Sequence, residues 1–255
     1  MGDDIRRYAQ VASTMEIAAD LAVAGASEGT VVLADEQTAG RGRAGRSWRT
    51  PPGSSLALTA ILRPPLPPDR ISTLPLVAGV AVAEAIEALT GTSVWLKWPN
   101  DCWLGDRNAG AKVAGVLMTA RLAEAGVAFA LLGIGINVTS PADALPPAAT
   151  SLAAAGLVSG DPRESLLALL LERLTKGYTA ALIHDGRPPL DAWRRRAALL
   201  GEPVTIDREG KPATGVFAGV RDDGALVLRR PDGTLLPIVA GDLTRGPRYD
   251  GRLGG

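Results

Sequence analysis

Two apolar, β-rich runs, Lys112 to Ala120 and Val127 to Val138, flank a short turn at Glu124-Ala125-Gly126. This hairpin restricts the fold more than any other feature. A short turn forces its strands to lie side by side and antiparallel, because a parallel neighbour needs a crossover of about a dozen residues. The other elements arrange themselves around it. Ser13-Thr14-Met15-Glu16 opens an Ala/Leu-rich stretch to about Ala24, with Gly25 following; Ser with Glu three positions later is a capping box and predicts a helix start. Thr30 to Ala34, Ser55 to Leu62 and Ser93 to Trp98 read as strands. Ile71 to Leu89, Arg163 to about His184, and Leu190 to Leu200 read as helices. Prolines make RPPLPPD a rigid connector and SPADALPPAAT (140–150) a loop; TPPGSS also reads as a loop. The order predicts an α+β fold, a mixed, mostly antiparallel sheet with flanking helices. From Gly201 the texture changes to short strands, VTID, ATGVFAGV, ALVLRR and LLPIVAG, with DDG and PDG as tight turns. That spacing predicts a small closed β-barrel. A boundary near 200 divides the chain into domains 1–200 and 201–255.

Composition removes several function classes. With 255 residues, 46% of them hydrophobic, the chain can bury a sizeable core. Lys+Arg and Asp+Glu both total 27, so no global charge draws it to nucleic acid or an anionic membrane. The opening MGDDIRRYAQ has no apolar signal core, and the apolar run Leu76 to Ala83 ends at Glu84, short of the roughly 20 residues that span a bilayer. Cys102 is the only cysteine and His184 the only histidine, and both read as structural bystanders. An internal disulfide is impossible, a reducing cytoplasm is expected, and neither a zinc site nor a two-histidine mechanism fits. Only Lys97, Lys112, Lys176 and Lys211 are lysines, so arginine does most of the basic surface work. A lysine retained against that bias hints at a need for a compact ammonium.

Four segments concentrate chemistry. The first, GRGRAGRSW (40–48), satisfies G-x-G-x-x-G, but Arg49-Thr50-Pro51-Pro52-Gly53 follows in place of a helix, and no acid stands near 60–65. That excludes a dinucleotide turn. Lying between two strands, it is not an arginine tail either. Glycines that expose N–H groups and arginines that fork onto phosphate or carboxylate suit a loop closing over an anion, with Trp48 anchoring its far end. The second, Lys97-Trp98-Pro99-Asn100-Asp101, puts an ammonium, a carboxamide and a carboxylate at a strand end, and Asp101 suits hydrated Mg²⁺. The third, Lys112-Val113-Ala114-Gly115-Val116-Leu117, sets a lysine at a pocket rim beside a glycine that admits close approach. The fourth, Gly133-Ile134-Gly135-Ile136-Asn137, suits a flat ligand. Taken singly, each also reads as ordinary structure: a solvated loop, a turn with a charge pair, a snorkelling lysine.

Taken together and in this order, the segments resemble biotin protein ligases. That family carries Ser-Thr at an early helix, Q-x-x-G-R-G-R-x-G-R-x-W, K-W-P-N-D, K-x-x-G-(I/V)-L and G-x-G-(I/L)-N. Here these are Ser13-Thr14, Gln37 through Trp48, Lys97 through Asp101, Lys112 through Leu117 and Gly133 through Asn137. The resemblance implies a catalytic fold related to class II aminoacyl-tRNA synthetases, followed by an SH3-like barrel. It implies that biotin and MgATP give biotinyl-5′-AMP, which then biotinylates one lysine of a biotin carboxyl carrier protein. Lys112, Arg43, Arg41, Lys97 and Asp101 are the implied catalytic residues, with Asp101 near Mg²⁺. Ser13, Thr14, Met15, Gln37, Arg41, Gly42, Arg43, Lys112 and Gly115 fall to biotin, and Arg43, Arg46, Trp48, Lys97, Asn100 and Asn137 to ATP. Met15 stands where the family often has Asn, which puts one polar contact to biotin in question, and Ala44 where many members carry another arginine. Little chain precedes Ser13, so no helix-turn-helix domain, operator binding or repression is expected; a homodimer through sheet edges or faces is left open. A lipoate or octanoate ligase or transferase of the related fold and a non-catalytic biotin-binding module are the alternatives.

Overall fold

A computed structural model describes residues 1–48, 51–124, 126–188, 190–208 and 210–246. The elements in chain order are β1 (Ile5–Val11), α1 (Thr14–Val23), β2 (Val31–Gln37), β3 (Ser55–Leu62), α2 (Leu74–Thr90), β4 (Trp95–Lys97), β5 (Asp101–Leu104), β6 (Ala111–Ala123) and β7 (Gly126–Asn137). After them come α3 (Arg163–Ile183), α4 (Asp191–Arg196), β8 (Pro203–Arg208), β9 (Lys211–Val220), β10 (Leu226–Arg229), β11 (Leu235–Ile238) and β12 (Asp242–Arg245). The first seven strands form one sheet in the order β1-β2-β3-β7-β6-β5-β4. Only β1 and β2 run parallel; every other neighbouring pair is antiparallel. The β6–β7 hairpin sits near the middle, as its turn requires; Ala125 of that turn lies outside the described residues.

Helices cover both faces. Ala18 and Ala22 of α1 pack with Val32, Ile61, Phe129 and Leu131 on one side, while α2 and α3 carry the larger core on the other. Every residue of β3 is therefore buried, and its sequence SLALTAIL is apolar or small throughout, without polar alternation. By length and composition alone the Pro68–Thr90 stretch could cross a membrane, but 67% of its apolar window is buried inside the molecule, as in a core helix.

The C-terminal strands form a separate antiparallel sheet ordered β11-β10-β9-β8-β12, SH3-like in size and strand content. The expected closed barrel is not found: among the described residues β11 and β12 remain the two edges. Turn signals specify neighbours in sequence, whereas closure needs the outermost strands to meet, which no local signal encodes. Phe217, Leu226 and Leu228 of this sheet join the main core, and the buried Trp98 donates its indole N–H to the Gly224 carbonyl at 3.1 Å. Residues 247–255 lie outside the described set.

Three strands escaped the sequence reading. β1 (IRRYAQV) is mostly exposed at a sheet edge and lacks an apolar face; β5 and β12 each open on an aspartate directly after Asn100 or Gly241, a pair of residues that reads as a turn. The helix expected over 190–200 stops at Arg196, because Ala197 turns out of the helical region with ψ of 114°, and Leu199 and Gly201 then take left-handed φ values of 61° and 83°.

Candidate active site

Strand register builds the floor of the site. Lys97 lies opposite Asp101, Asp101 opposite Gly115, Gly115 opposite Gly135, and Gly135 opposite Ala57. Directly opposed residues share a face, so the row runs across five strands with charge at one end and almost no side chain in the middle. Above it lies a cleft of about 450 Å³, in the size range of small-molecule sites. Ser13, Thr14 and Met15 enter it from the start of α1, and Gln37 from the end of β2. Arg41, Gly42, Arg43, Arg46 and Trp48 enter from the loop after β2; Lys97, Asn100 and Asp101 from the β4–β5 turn; Lys112, Gly115 and Asn137 from the hairpin. Every residue singled out as a candidate therefore lines one cleft.

The arginine loop is a small closed hairpin. Trp48 N–H donates to the Gly40 carbonyl at 2.8 Å, Gly42 N–H donates to the Arg46 carbonyl at 2.7 Å, and Arg41 and Ser47 form a bridge. Its tip turns through left-handed Ala44 and Gly45, with φ of 52° and 73°. At the root, a Cβ on Gly40 would stand 2.3 Å from the Trp48 carbonyl oxygen, so no side chain fits. Gly40→Ala is expected to open this root and raise hydrogen exchange at the Gly42 and Trp48 amides more than about tenfold; unchanged protection would show the closure to be loose.

The loop's arginines have partners in three parts of the chain. Arg41 pairs with Glu16, and the expected capping box does not form; Ser13 caps the helix instead through Oγ accepting from Met15 N–H at 3.3 Å. Arg43 donates to Asn100 Oδ1 and to the Gly241 carbonyl, both at 3.2 Å. Asp242 Oδ1 lies 3.7 Å from Arg43 and 2.8 Å from Arg46. The loop thus joins α1, the β4–β5 turn and the C-terminal sheet. Ring and thioether cover the glycines. A Cβ on Gly135 would come within 2.4 Å of the Trp48 indole, and one on Gly133 within 3.1 Å of Met15 Sδ. The close approach expected at these glycines is made by the chain's own side chains.

Lys112 Nζ sits 2.6 Å from Asp101 Oδ1 and 5.5 Å from the centre of the Trp48 ring. Lys97 Nζ lies 5.0 Å over the Trp103 ring; its burial pushes its pKa below the ordinary lysine value, partly opposed by Asp101. Burial lowers Arg43 as well, against the pull of Asp242. Five cations face a cleft whose own floor carries one carboxylate, which favours an anionic ligand. No group of three His, Cys, Asp or Glu able to hold a metal occurs among the described residues. Asp101 has one oxygen on Lys112, so its other oxygen suits Mg²⁺ whose remaining ligands are phosphates and water, the usual Mg²⁺ arrangement.

Sequence reasoning missed the far wall, Ala144 to Ala149, where Lys112 N–H donates to the Ala148 carbonyl at 2.9 Å. Its prolines announced only a loop. It also missed Trp103 beneath Lys97, and Gly241 and Asp242; nothing local ties those two to a loop some 200 positions earlier. Asn137 reaches the cleft but its amide already donates to the Thr150 carbonyl at 3.0 Å. Cys102 is fully buried and burial pushes its thiol pKa up, in keeping with an inert thiol.

The family model of the biotin/lipoate A/B protein ligase family matches residues 8–137, and that of the biotin protein ligase C-terminal domain matches residues 199–243. A biotin–acetyl-CoA-carboxylase ligase of Paracoccus denitrificans is 37% identical over 216 residues, covering 82% of this chain and 88% of the relative. The bifunctional ligase/repressor BirA of Bacillus spizizenii is 33% identical over 250 residues, covering 96% of this chain and 75% of the relative. Among solved structures, the biotin protein ligase of Aquifex aeolicus in complex with biotin and ATP superposes with a TM-score of 0.80 at 29% identity, covering 96% of this chain and all of that one.

Proposed function

The chain belongs to the biotin protein ligase family, and on that premise we propose how its cleft carries out the reaction. The enzyme is an ATP-dependent biotin ligase. The observation that carries the assignment of roles is the single cleft in which all five motifs meet.

In the first half-reaction a biotin carboxylate oxygen attacks the α-phosphorus of ATP, and the bond to pyrophosphate breaks. Two anions must approach, so fixed positive charge has to stand where negative charge accumulates. Lys112 lies between the carboxylate and the α-phosphate oxygens, and Arg41, Arg43, Arg46 and Lys97 surround the remaining phosphates. Mg²⁺ bound with the nucleotide supplies further charge neutralisation, and Asp101 is the carboxylate that would hold it. Ser13, Thr14 and Gln37 receive the biotin rings, with Met15 and Gly115 beside them. Asn100 and Trp48 border the nucleotide, and Asn137 closes that end. In the second half-reaction the neutral amine of a carrier-protein lysine attacks the acyl carbon of the mixed anhydride. AMP leaves, and the amine sheds its proton. No covalent enzyme intermediate is required, which agrees with a cleft that has no Cys or His. The loop 40–48 shields the water-labile adenylate. In this reading residues 1–200 perform the chemistry, and 201–255 steady the loop through Gly241 and Asp242.

The test is ATP–pyrophosphate exchange with the purified full chain. Exchange that depends on biotin and not on lipoate is the expected result. Exchange with lipoate alone would move the enzyme to the lipoate class, and none with either would leave a binding module.

A further inference from the structure

Behind the cleft wall lies a hydroxyl that no motif contains. Thr59, in the middle of β3, is completely buried, and its Oγ1 stands 2.9 Å from Thr14 Oγ1. Gln37 Oε1 accepts twice from Thr14, from the backbone N–H at 2.8 Å and from the hydroxyl at 3.0 Å. A threonine hydroxyl has one proton. Thr14 commits that proton to Gln37, so in its contact with Thr59 it can only accept, and Thr59 must donate. Protons therefore point one way, from Thr59 to Thr14 to Gln37. Two donors on one oxygen hold the Gln37 amide oxygen inward, which sets its nitrogen on the other side, 2.9 Å from where a Gly40 Cβ would stand.

From this one-way chain we propose that Thr59 is a positioning residue for the biotin end of the cleft. It fixes the hydroxyl of Thr14 and, through it, the amide of Gln37, without touching the ligand itself. Strand register puts it there: Thr59 lies opposite Gly133, which has no side chain to fill the space, and beneath the first turn of α1. With Thr59 unable to donate, Thr14 Oγ1 loses the bond that fixes its rotamer and is left with an unpaired buried lone pair, so the hydroxyl donor it presents to the Gln37 amide oxygen is held less firmly. Among the described residues, Thr59 and Thr14 form no hydrogen bond with Lys97, Asn100 or Asp101, and the chain meets the arginine loop where Gln37 lies beside its root at Gly40. The inference rests on the assignment of Thr14 and Gln37 to biotin.

The test compares Thr59→Val, which keeps the shape and removes the donor, with Thr59→Ser, which keeps the donor. Thr59→Val should raise the biotin KM about fivefold, the worth of one modest hydrogen bond, with the ATP KM and kcat changing less than about twofold. Thr59→Ser should restore the biotin KM, and both variants should melt close to the parent. If Thr59→Val fails to fold, Thr59→Ala carries the same comparison. An unchanged biotin KM, an equal rise in both KM values, or a Thr59→Ser variant as impaired as Thr59→Val would overturn the proposal. Absence of biotin-dependent exchange in the parent would instead remove the functional reading beneath it.

Discussion

Lys112→Ala should lower the rate of adenylate formation by about 10³-fold while the protein stays folded, the scale on which losing one preorganised charge is felt. The geometry explains why one side chain carries so much. Gly115, three residues on in the same strand, leaves the space in which the lysine lies, since a Cβ there would stand 3.2 Å from both Cε and Nζ. Asp101 and the Trp48 ring hold the ammonium from two sides. A guanidinium is wider and planar, so Lys112→Arg should restore little of the rate. Truncation also leaves Asp101 without its partner. Lys112→Ala combined with Asp101→Asn isolates the effect on the fold: a double variant that melts nearer the parent than Lys112→Ala does would assign the lost stability to the stranded carboxylate. The check is single-turnover formation of labelled adenylate beside a melting curve. Near-parental rates in Lys112→Ala would end its role.

Arg43→Ala should speed the escape of adenylate by about 10²-fold, the cost of loosening groups that hold a reactive species in place. Arg43 is the one loop arginine that reaches both the β4–β5 turn, through Asn100, and the C-terminal sheet, through Gly241. Arg46 engages the same carboxylate, Asp242, from a more exposed position and should matter less. Arg43→Lys keeps the charge but replaces the two guanidinium nitrogens that bond Asn100 and Gly241 separately with a single nitrogen, so it should release adenylate nearly as fast as Arg43→Ala. Retention of labelled adenylate in a chase with unlabelled biotin and ATP measures this. An unchanged release rate would show that the loop is not the barrier to escape.

Much of this architecture was legible locally. The β6–β7 turn, the glycine that ends α2 in a left-handed conformation, and the Ser13 cap each act over a few residues, so they can be read in one dimension. The chemistry of the cleft was legible for the same reason. Glycines beside arginines, and a lysine, amide and carboxylate around a proline, keep their meaning wherever they fold. Edge strand β1 was not legible, because an exposed strand without an apolar face leaves no period to find.

The amino-acid order by itself therefore determined the α+β class, the hairpin at its centre, the texture change near residue 200, and which side chains carry charge to a ligand. Only the tertiary structure decided that Lys97, Asp101, Gly115, Gly135 and Ala57 share one row, that Thr59 stands behind Thr14, that Asp242 meets the arginine loop, and that, among the described residues, β11 and β12 stay the two edges of the C-terminal sheet. Those facts depend on register and on contacts between distant segments. Both are set by burying all the apolar faces at once, a condition on the whole chain that no short stretch of it expresses.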